Sequence, residues 1–169
     1  MSNKLYQTHV QVHLQNIRKN LENIHKAVGE DTKILIAVKA NAYGHGAVEV
    51  SKMAEQIGIE WLGVATVPEG IELREAGIKL PILKFSPVFP EEMEAAIEND
   101  LCITLIEKGN VQILQETAKK MNKKVRVHLK FETGMGRIGV APEDAKDLTE
   151  EILKNCPNLV LEGAMTHLP

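Results

Sequence analysis

The sequence predicts an α/β protein of parallel strands, a TIM-type (β/α)8 barrel represented by about six of its eight strand–helix units. Short apolar runs alternate with amphipathic segments of helical spacing from residue 33 onward, at about 20 to 30 residues per unit. Glycine or proline separates most of these segments. A complete barrel takes about 250 residues, whereas this chain has 169. A doubly wound sheet of six strands is the alternative arrangement.

Composition narrows the class of protein. Hydrophobic residues at 44% and charged residues at 25% are typical of a globular protein, and residues 1–169 fit one domain or part of one. The net charge of -3 gives no basic surface for nucleic acid or an anionic membrane. Without an apolar signal or membrane-length run, we expect a cytoplasmic protein with small-molecule partners. Cys102 and Cys156 are interpreted as reduced packing thiols.

The first elements are read from their hydrophobic period. Residues 9–13 alternate polar and apolar side chains, which predicts a short strand with His9 and His13 on one face. We interpret these as surface histidines, since no nearby residue completes a metal site. Apolar residues then recur at helical spacing from Leu14 to Val28, where Gly29 ends the predicted helix. Residues 33–38 follow as a strand expected to be buried on both faces.

The rest of the chain repeats strand, loop and helix. Strands are predicted over residues 61–65, 81–85, 101–105, 125–131 and 159–165. Helices are predicted over residues 47–57, 68–77, 90–99, 110–121 and 142–154, three of them opened by proline. No helix follows the last strand, so we expect the chain to be a truncated part of a larger barrel.

Lys39 ends the first buried strand and is the first candidate for chemistry. Low-dielectric surroundings favour the uncharged amine of a lysine, which is the form that makes a Schiff base. The alternative is a structural lysine whose stem covers the strand end while its head reaches water.

Polar residues follow three strand ends, where α/β proteins place their active sites. Lys39 and Tyr43 follow the first strand, Lys130 and Arg137 the fifth, and His167 the sixth. Such a cationic, donor-rich set suits a ligand that carries phosphate or carboxylate. For Arg137 the alternative is a surface ion pair, and for His167 a hydrogen-bonded structural role.

Residues 134–139 spell G-x-G-x-x-G after a strand, which is the pattern of a dinucleotide-binding loop. That loop belongs at the first strand with a helix opening directly on it, whereas Pro142 places the helix start beyond the last glycine. We therefore interpret the glycines as shaping a tight loop that brings Arg137 back over the strand ends.

Four motifs together resemble the bacterial alanine racemases, enzymes of pyridoxal-phosphate fold-type III. They are AVKANAYGHG at residues 37–46, HLK at 128–130, TGMGRIG at 133–139, and LEG at 161–163 with TH at 166–167. The first is highly specific, because related decarboxylases and small pyridoxal-phosphate homeostasis proteins carry shorter variants. The resemblance extends over essentially all 169 residues.

The resemblance implies a role for each candidate residue. Lys39 would hold pyridoxal 5'-phosphate covalently and act as one of two bases at the α-carbon. Tyr43 would contact the phosphate, and His167 would lie against the pyridine ring. Arg137 would reach the phenolic oxygen and the substrate carboxylate, while Lys130 matches a position that is often carbamylated in the family, where the new carboxylate would orient Arg137.

The resemblance also implies interconversion of L- and D-alanine by a homodimer, with D-alanine feeding peptidoglycan synthesis. A broad-specificity amino-acid racemase, a non-catalytic pyridoxal-phosphate-binding protein and a fragment that binds nothing remain as alternatives. Three residues depart from the family pattern: Glu132 replaces aspartate, Phe85 replaces an aliphatic residue near the cofactor, and His13 replaces aspartate.

Parts of the family pattern have no counterpart in these residues. They are the last two barrel strands and a C-terminal β-domain, whose tyrosine would be the opposite-face base. We therefore expect the 169 residues alone to be inactive. We also expect them to self-associate through exposed strand edges.

Overall fold

The computed structural model describes residues 8–169, which form one parallel sheet with helices between successive strands. The strands are β1 (Leu35–Ala37), β2 (Trp61–Val64), β3 (Ile82–Lys84), β4 (Leu101–Leu105), β5 (Val125–Phe131) and β6 (Leu159–Thr166). Each strand pairs with the next along the chain, in parallel. This sequential order is that of a barrel, whereas a doubly wound sheet reverses direction at a switch point. The doubly wound alternative is therefore wrong.

The helical segments lie close to their predicted positions. They are α1 (Leu14–Val28), α2 (Lys39–Gly44), α3 (Ala47–Gln56), α4 (Val67–Glu75), α5 (Met93–Glu98), α6 (Lys108–Lys120) and α7 (Pro142–Asn155). The predicted helix over residues 90–99 is divided, because Pro90–Glu92 forms a 3-10 turn before α5. α2 was not among the helices predicted from the sequence and has an unusual hand, described below.

Alternate residues of the strands form the core against the helices. On β5, Val125, Val127 and Leu129 belong to this hydrophobic cluster, whereas Arg126 and Lys130 lie on the opposite face. Both cysteines are buried and unpaired, as interpreted from the sequence. No helix within residues 8–169 is long and apolar enough to cross a membrane.

Two predictions at the N-terminal end are wrong. Residues 9–13 have no regular secondary structure, and Val10 is 87% exposed, because this segment pairs with no strand. β1 is not buried on both faces, since Leu35 is 37% exposed and Ala37 is exposed too. The reason is topological: within residues 8–169, β1 and β6 are the two edges of an unclosed sheet, and the inner face of β1 has no strand opposite.

Candidate functional site

A cavity of about 220 Å³ lies at the carboxyl ends of the strands and gathers the predicted site residues. It is lined by Ala37, Lys39, Tyr43, Phe85, Lys130, Arg137, Met165, Thr166 and His167. All six side chains that were singled out from the sequence are in this set, although they come from four separate stretches of the chain. The cavity wall combines aromatic rings with an amine, a phenol, a guanidinium and an imidazole.

The segment after Lys39 is a single left-handed helical turn. Residues 40 to 43 all have φ between 50° and 54°, and none of them is glycine. Left-handed backbone costs roughly 1–2 kcal/mol for each such residue, so the turn needs contacts that hold it. It has them: the N–H of Ala42 donates to Val38 O at 2.8 Å, and the N–H of Ala47 donates to Asn41 Oδ1 at 2.8 Å. The hydrophobic period of the sequence carried no signal for the hand of this turn.

Three lysines at strand ends differ in how their amines are bound. Lys84 is 3% exposed and donates to Ser86 O at 3.1 Å, Ser86 Oγ at 3.0 Å and Pro87 O at 2.6 Å, which uses all three of its protons. Lys130 is 4% exposed and donates to the carbonyl of Ile138.

The amine of Lys39 makes no hydrogen bond within the described residues. Its Nζ lies 5.8 Å from the centre of the Tyr43 ring. The side chain lines the cavity and is only partly exposed, rather than being a surface lysine held by an acidic partner. Of the three lysines, Lys39 is therefore the one whose amine is not engaged in a hydrogen bond within the described residues.

The loop that carries Arg137 is organised by a single carboxylate. Glu132 accepts hydrogen bonds from the backbone N–H groups of Gly134 at 2.7 Å, Gly136 at 2.9 Å and Arg137 at 3.2 Å. The hydrogen bonds from Gly136 and Gly134 hold the pKa of Glu132 below its ordinary value, and Lys130 adds to the effect. The Glu132 carboxylate thus fixes the shape of the loop.

The last glycine of this loop is required by a close approach. The backbone of Gly139 returns beside the end of β5, where Val140 N donates to Lys130 O at 2.8 Å. A Cβ at Gly139 would lie 2.5 Å from the nitrogen of Glu132 and 2.7 Å from the carbonyl carbon of Phe131. The φ of Gly139 is 154°, which also favours glycine.

This geometry argues against the dinucleotide hypothesis. The loop N–H groups that would bind a phosphate already donate to Glu132. The following helix, α7, begins only at Pro142. The G-x-G-x-x-G pattern therefore serves loop geometry, as interpreted from the sequence.

The guanidinium of Arg137 forms no ion pair within residues 8–169, so the surface ion pair considered for it is absent there. His167 is exposed, with its ring on the cavity. The loop that carries Arg137 also contacts β6, because the hydroxyl oxygens of Thr133 and Thr166 lie 2.5 Å apart, within hydrogen-bond distance.

The inner face of the sheet carries a second cluster of polar side chains, which sequence reasoning missed. A sulfur of Cys102, a ring nitrogen of His128 and a carboxylate oxygen of Glu162 lie within 4.8 Å of one another. Arg126 lies 3.8 Å from the Glu162 carboxylate and 5.8 Å from the centre of the Trp61 ring. The alternation of Arg126, His128 and Lys130 along β5 was the available signal.

The titrations in this group follow from burial. Burial raises the pKa of the Cys102 thiol to about 12, with a further contribution from the Glu162 carboxylate. Burial also lowers the pKa of His128, and Arg126 acts in the same direction. The thiol and the imidazole are therefore both neutral near pH 7, beside the Arg126–Glu162 ion pair.

Comparison with known proteins relates the chain to a single family. The sequence profile of the family described as "Alanine racemase, N-terminal domain" matches residues 12–169. The alanine racemase of Cutibacterium acnes is 43% identical over 163 residues, covering 96% of this chain and 43% of that protein. That of Treponema denticola is 42% identical over 156 residues, covering 92% and 41%. The chain thus spans about two fifths of the length of these relatives.

Solved structures agree with the sequence comparison. Alanine racemase from Clostridium difficile 630 in complex with cycloserine superposes with a TM-score of 0.91 and 42% identity, covering 94% of this chain and 43% of that one. The alanine racemase from Bacillus anthracis with bound L-Ala-P superposes with a TM-score of 0.86 and 35% identity, covering 94% and 41%. The six-stranded sheet therefore matches the barrel domain of these enzymes.

Proposed function

The chain belongs to the alanine racemase family, and on that premise we propose that it supplies the lysine-bearing face of a pyridoxal-phosphate-dependent alanine racemase. The observation that carries the proposal is that the Lys39 amine is not tied up by a hydrogen bond. It lines the cavity without a hydrogen bond in the described residues, whereas the amines of Lys84 and Lys130 donate to backbone carbonyls.

The residues around Lys39 fit an aromatic, anionic cofactor. Phe85 and His167 offer ring faces against which a pyridine ring can pack. Tyr43 offers a phenolic donor and Arg137 a cationic one, which suit a phosphate and a phenolic oxygen. Pyridoxal phosphate held here would withdraw electrons from the α-carbon of a bound amino acid and so make the α-proton acidic.

Racemisation then requires proton transfer on both faces of the α-carbon. The Lys39 amine, held at the end of β1, takes or returns the proton on its own face. Arg137 holds the substrate carboxylate and so orients the α-carbon toward Lys39. We propose that the base for the other face comes from the part of the relatives' length that this chain does not match, so that residues 1–169 alone do not racemise alanine.

Substrate and assembly belong to the same proposal. The small cavity suits an amino acid with a short side chain, since Phe85 and Met165 occupy space along its wall. A carbamylated Lys130 would present a carboxylate toward Arg137. The complete protein is proposed to act as a homodimer on alanine.

The test is a racemisation assay of the purified full-length protein with a panel of L- and D-amino acids. We expect alanine to be turned over at least tenfold faster than serine, valine or lysine. Lys39→Ala should abolish both turnover and the visible absorbance of the cofactor's Schiff base. Lys33→Ala, which removes an exposed lysine before β1, should change neither.

Other outcomes separate the alternatives. Similar rates across the panel would indicate a broad-specificity racemase. Schiff-base absorbance without turnover of any amino acid would contradict the racemase and favour a cofactor-binding protein. Absence of the absorbance in the unaltered protein would contradict both.

A further inference from the structure

Glu69 on α4 (Val67–Glu75) reaches backbone N–H groups in two different parts of the chain. Its Oε2 accepts from Ala65 at 2.7 Å and from Thr66 at 3.0 Å, just before the helix begins. Its Oε1 accepts from Ala40 at 2.7 Å, directly after Lys39 and 29 residues away in sequence. One carboxylate therefore joins the end of β2, the start of α4 and the turn that carries Lys39.

Helix capping explains only half of these contacts. In a capping box the acidic residue accepts from the N-cap backbone while the N-cap side chain accepts in return, and Thr66 and Glu69 do this. The bond from Ala40 to the other oxygen is no part of a capping box. A residue needed only for the cap would have no reason to present its second oxygen to Ala40.

Ala40 is where the left-handed turn begins. Its φ of 50° departs from the backbone that the strand before it adopts, and the peptide between Lys39 and Ala40 must turn with it. Hydrogen bonding of the Ala40 N–H to a fixed carboxylate sets the orientation of that peptide plane. The direction in which the Lys39 side chain leaves the backbone depends on this orientation.

The charge of Glu69 supports this contact. Although partial burial alone would raise the pKa of Glu69, the hydrogen bonds from Ala40, Ala65 and Thr66 overcome it and lower the pKa below its ordinary value. The group is therefore an anion at neutral pH, and hydrogen bonds to an anion are stronger than those to a neutral acceptor.

We propose that Glu69 is a positioning residue that holds the left-handed turn after Lys39 and so directs the Lys39 amine into the cavity. The part that concerns the amine's chemistry rests on the proposed function, whereas the part that concerns the turn does not.

The variant Glu69→Gln distinguishes the roles of the two carboxylate oxygens. Glutamine keeps the length of the side chain but has one carbonyl oxygen and one NH₂ group. If the oxygen faces Ala65 and Thr66, the NH₂ group faces the N–H of Ala40, and two donors cannot bond. The cap survives in this orientation while the bond to Ala40 is lost.

Two control variants match it. Thr66→Ala removes the hydroxyl that accepts from Glu69 N at 3.4 Å, but leaves both carboxylate oxygens in place. Glu72→Gln removes a carboxylate from an exposed residue of the same helix.

The first readout is hydrogen exchange at the Ala40 amide of the full-length protein without added cofactor. In the unaltered protein this amide should be protected although Ala40 itself is exposed. Glu69→Gln should make it exchange roughly tenfold faster, since a hydrogen bond to a charged group is lost. The two controls should leave its exchange unchanged.

The second readout is the rate at which pyridoxal phosphate followed by borohydride labels Lys39. Glu69→Gln should slow labelling at least severalfold, with labelling in Thr66→Ala close to that of the unaltered protein. An Ala40 amide that exchanges as an unstructured amide in the unaltered protein, or at the same rate in Glu69→Gln, would overturn the inference. So would equal labelling of Lys39 with and without the carboxylate. No labelling of Lys39 in the unaltered protein would instead contradict the proposed function, while the exchange data would still decide the role of Glu69 in the turn.

Discussion

The lysine turn (residues 39–46) and the arginine loop (residues 132–139) each place a side chain at the cavity, but different contacts hold them. Both leave the carboxyl end of a strand, bend through positive φ and bring a cationic side chain to one cavity. Both are also tied by one carboxylate that accepts from three backbone N–H groups. In the arginine loop that carboxylate, Glu132, belongs to the loop itself. In the lysine turn it is Glu69, from a helix farther along the chain.

The difference affects what each segment needs from the rest of the protein. The arginine loop places glycine at residues 134, 136 and 139, all with positive φ, and carries its own acceptor. It can therefore form from local sequence once β5 is in place. The lysine turn places four non-glycine residues in the left-handed region, so it forms only when tertiary contacts offset the strain. Its geometry is tied to the packing of α4 beside β2.

The largest effect is expected from Gly139→Ala in the arginine loop. The added Cβ would meet backbone atoms of Phe131 and Glu132, which cannot move aside without displacing the end of β5. We expect the free energy of unfolding to fall by about 2 to 3 kcal/mol, measured by urea denaturation. Gly136→Ala is the matched control, because no heavy atom lies within 4 Å and only its φ of 66° is strained. It should cost roughly 1 kcal/mol, and equal losses for the two variants would contradict the close approach.

Asn41→Ala tests the tertiary ties of the lysine turn. It removes the acceptor for the Ala47 N–H at the start of α3, and asparagine tolerates the left-handed region better than alanine. We expect a loss of about 1 to 2 kcal/mol in the free energy of unfolding. Asn122→Ala, at another left-handed residue whose side chain makes no hydrogen bond within the described residues, should cost about half as much. A smaller loss at Asn41 than at Asn122 would count against the tie to α3.

Ala40→Gly should stabilise the protein, whereas an alanine-to-glycine change usually destabilises it. Glycine relieves the left-handed strain at a φ of 50°, and this gain exceeds the added entropy of the unfolded chain. The free energy of unfolding should rise by about 0.5 kcal/mol. Ala145→Gly within the right-handed helix α7 should instead lower it by about 1 kcal/mol. A loss at both sites would show that the turn is not strained as described.

The smallest effect is expected from pH, because solvent screens the carboxylates of Glu69 and Glu132. Their pKa values in the folded protein lie below the ordinary value of 4.5. The stability that they contribute is therefore complete above pH 4.5 and is lost as the pH falls through the folded pKa values. Urea denaturation from pH 6 to pH 3 should show a decline that is shallower in Glu69→Gln and in Glu132→Gln. A decline of unchanged steepness in both variants would contradict the assignment.

Much of the fold followed from periodicity. The bounds of β4 and β5 were predicted to the residue, since each is an uninterrupted or alternating apolar run between turn signals. β1 was misjudged as buried because an apolar run reports that a strand packs somewhere. It does not report whether the sheet closes over the other face.

The site was less accessible to sequence reasoning than the fold. Residues such as Lys39 and Arg137 could be proposed because they follow strands, whose carboxyl ends meet at one edge. The roles of Glu69 and Lys84 could not, because each depends on a contact across elements that spacing does not encode. The left-handed turn was missed for the same reason, since nothing in its four residues requires that conformation.

The central claim is that, among the strand-end lysines Lys39, Lys84 and Lys130, only the amine of Lys39 faces the cavity without a hydrogen bond to the described residues. The most direct test is to incubate the full-length protein with pyridoxal phosphate, reduce it with borohydride and locate the adduct by peptide mass spectrometry. The account predicts stoichiometric modification of Lys39 and none above background at Lys84 or Lys130. An adduct on Lys84 or Lys130 in preference to Lys39, or none at all, would contradict it.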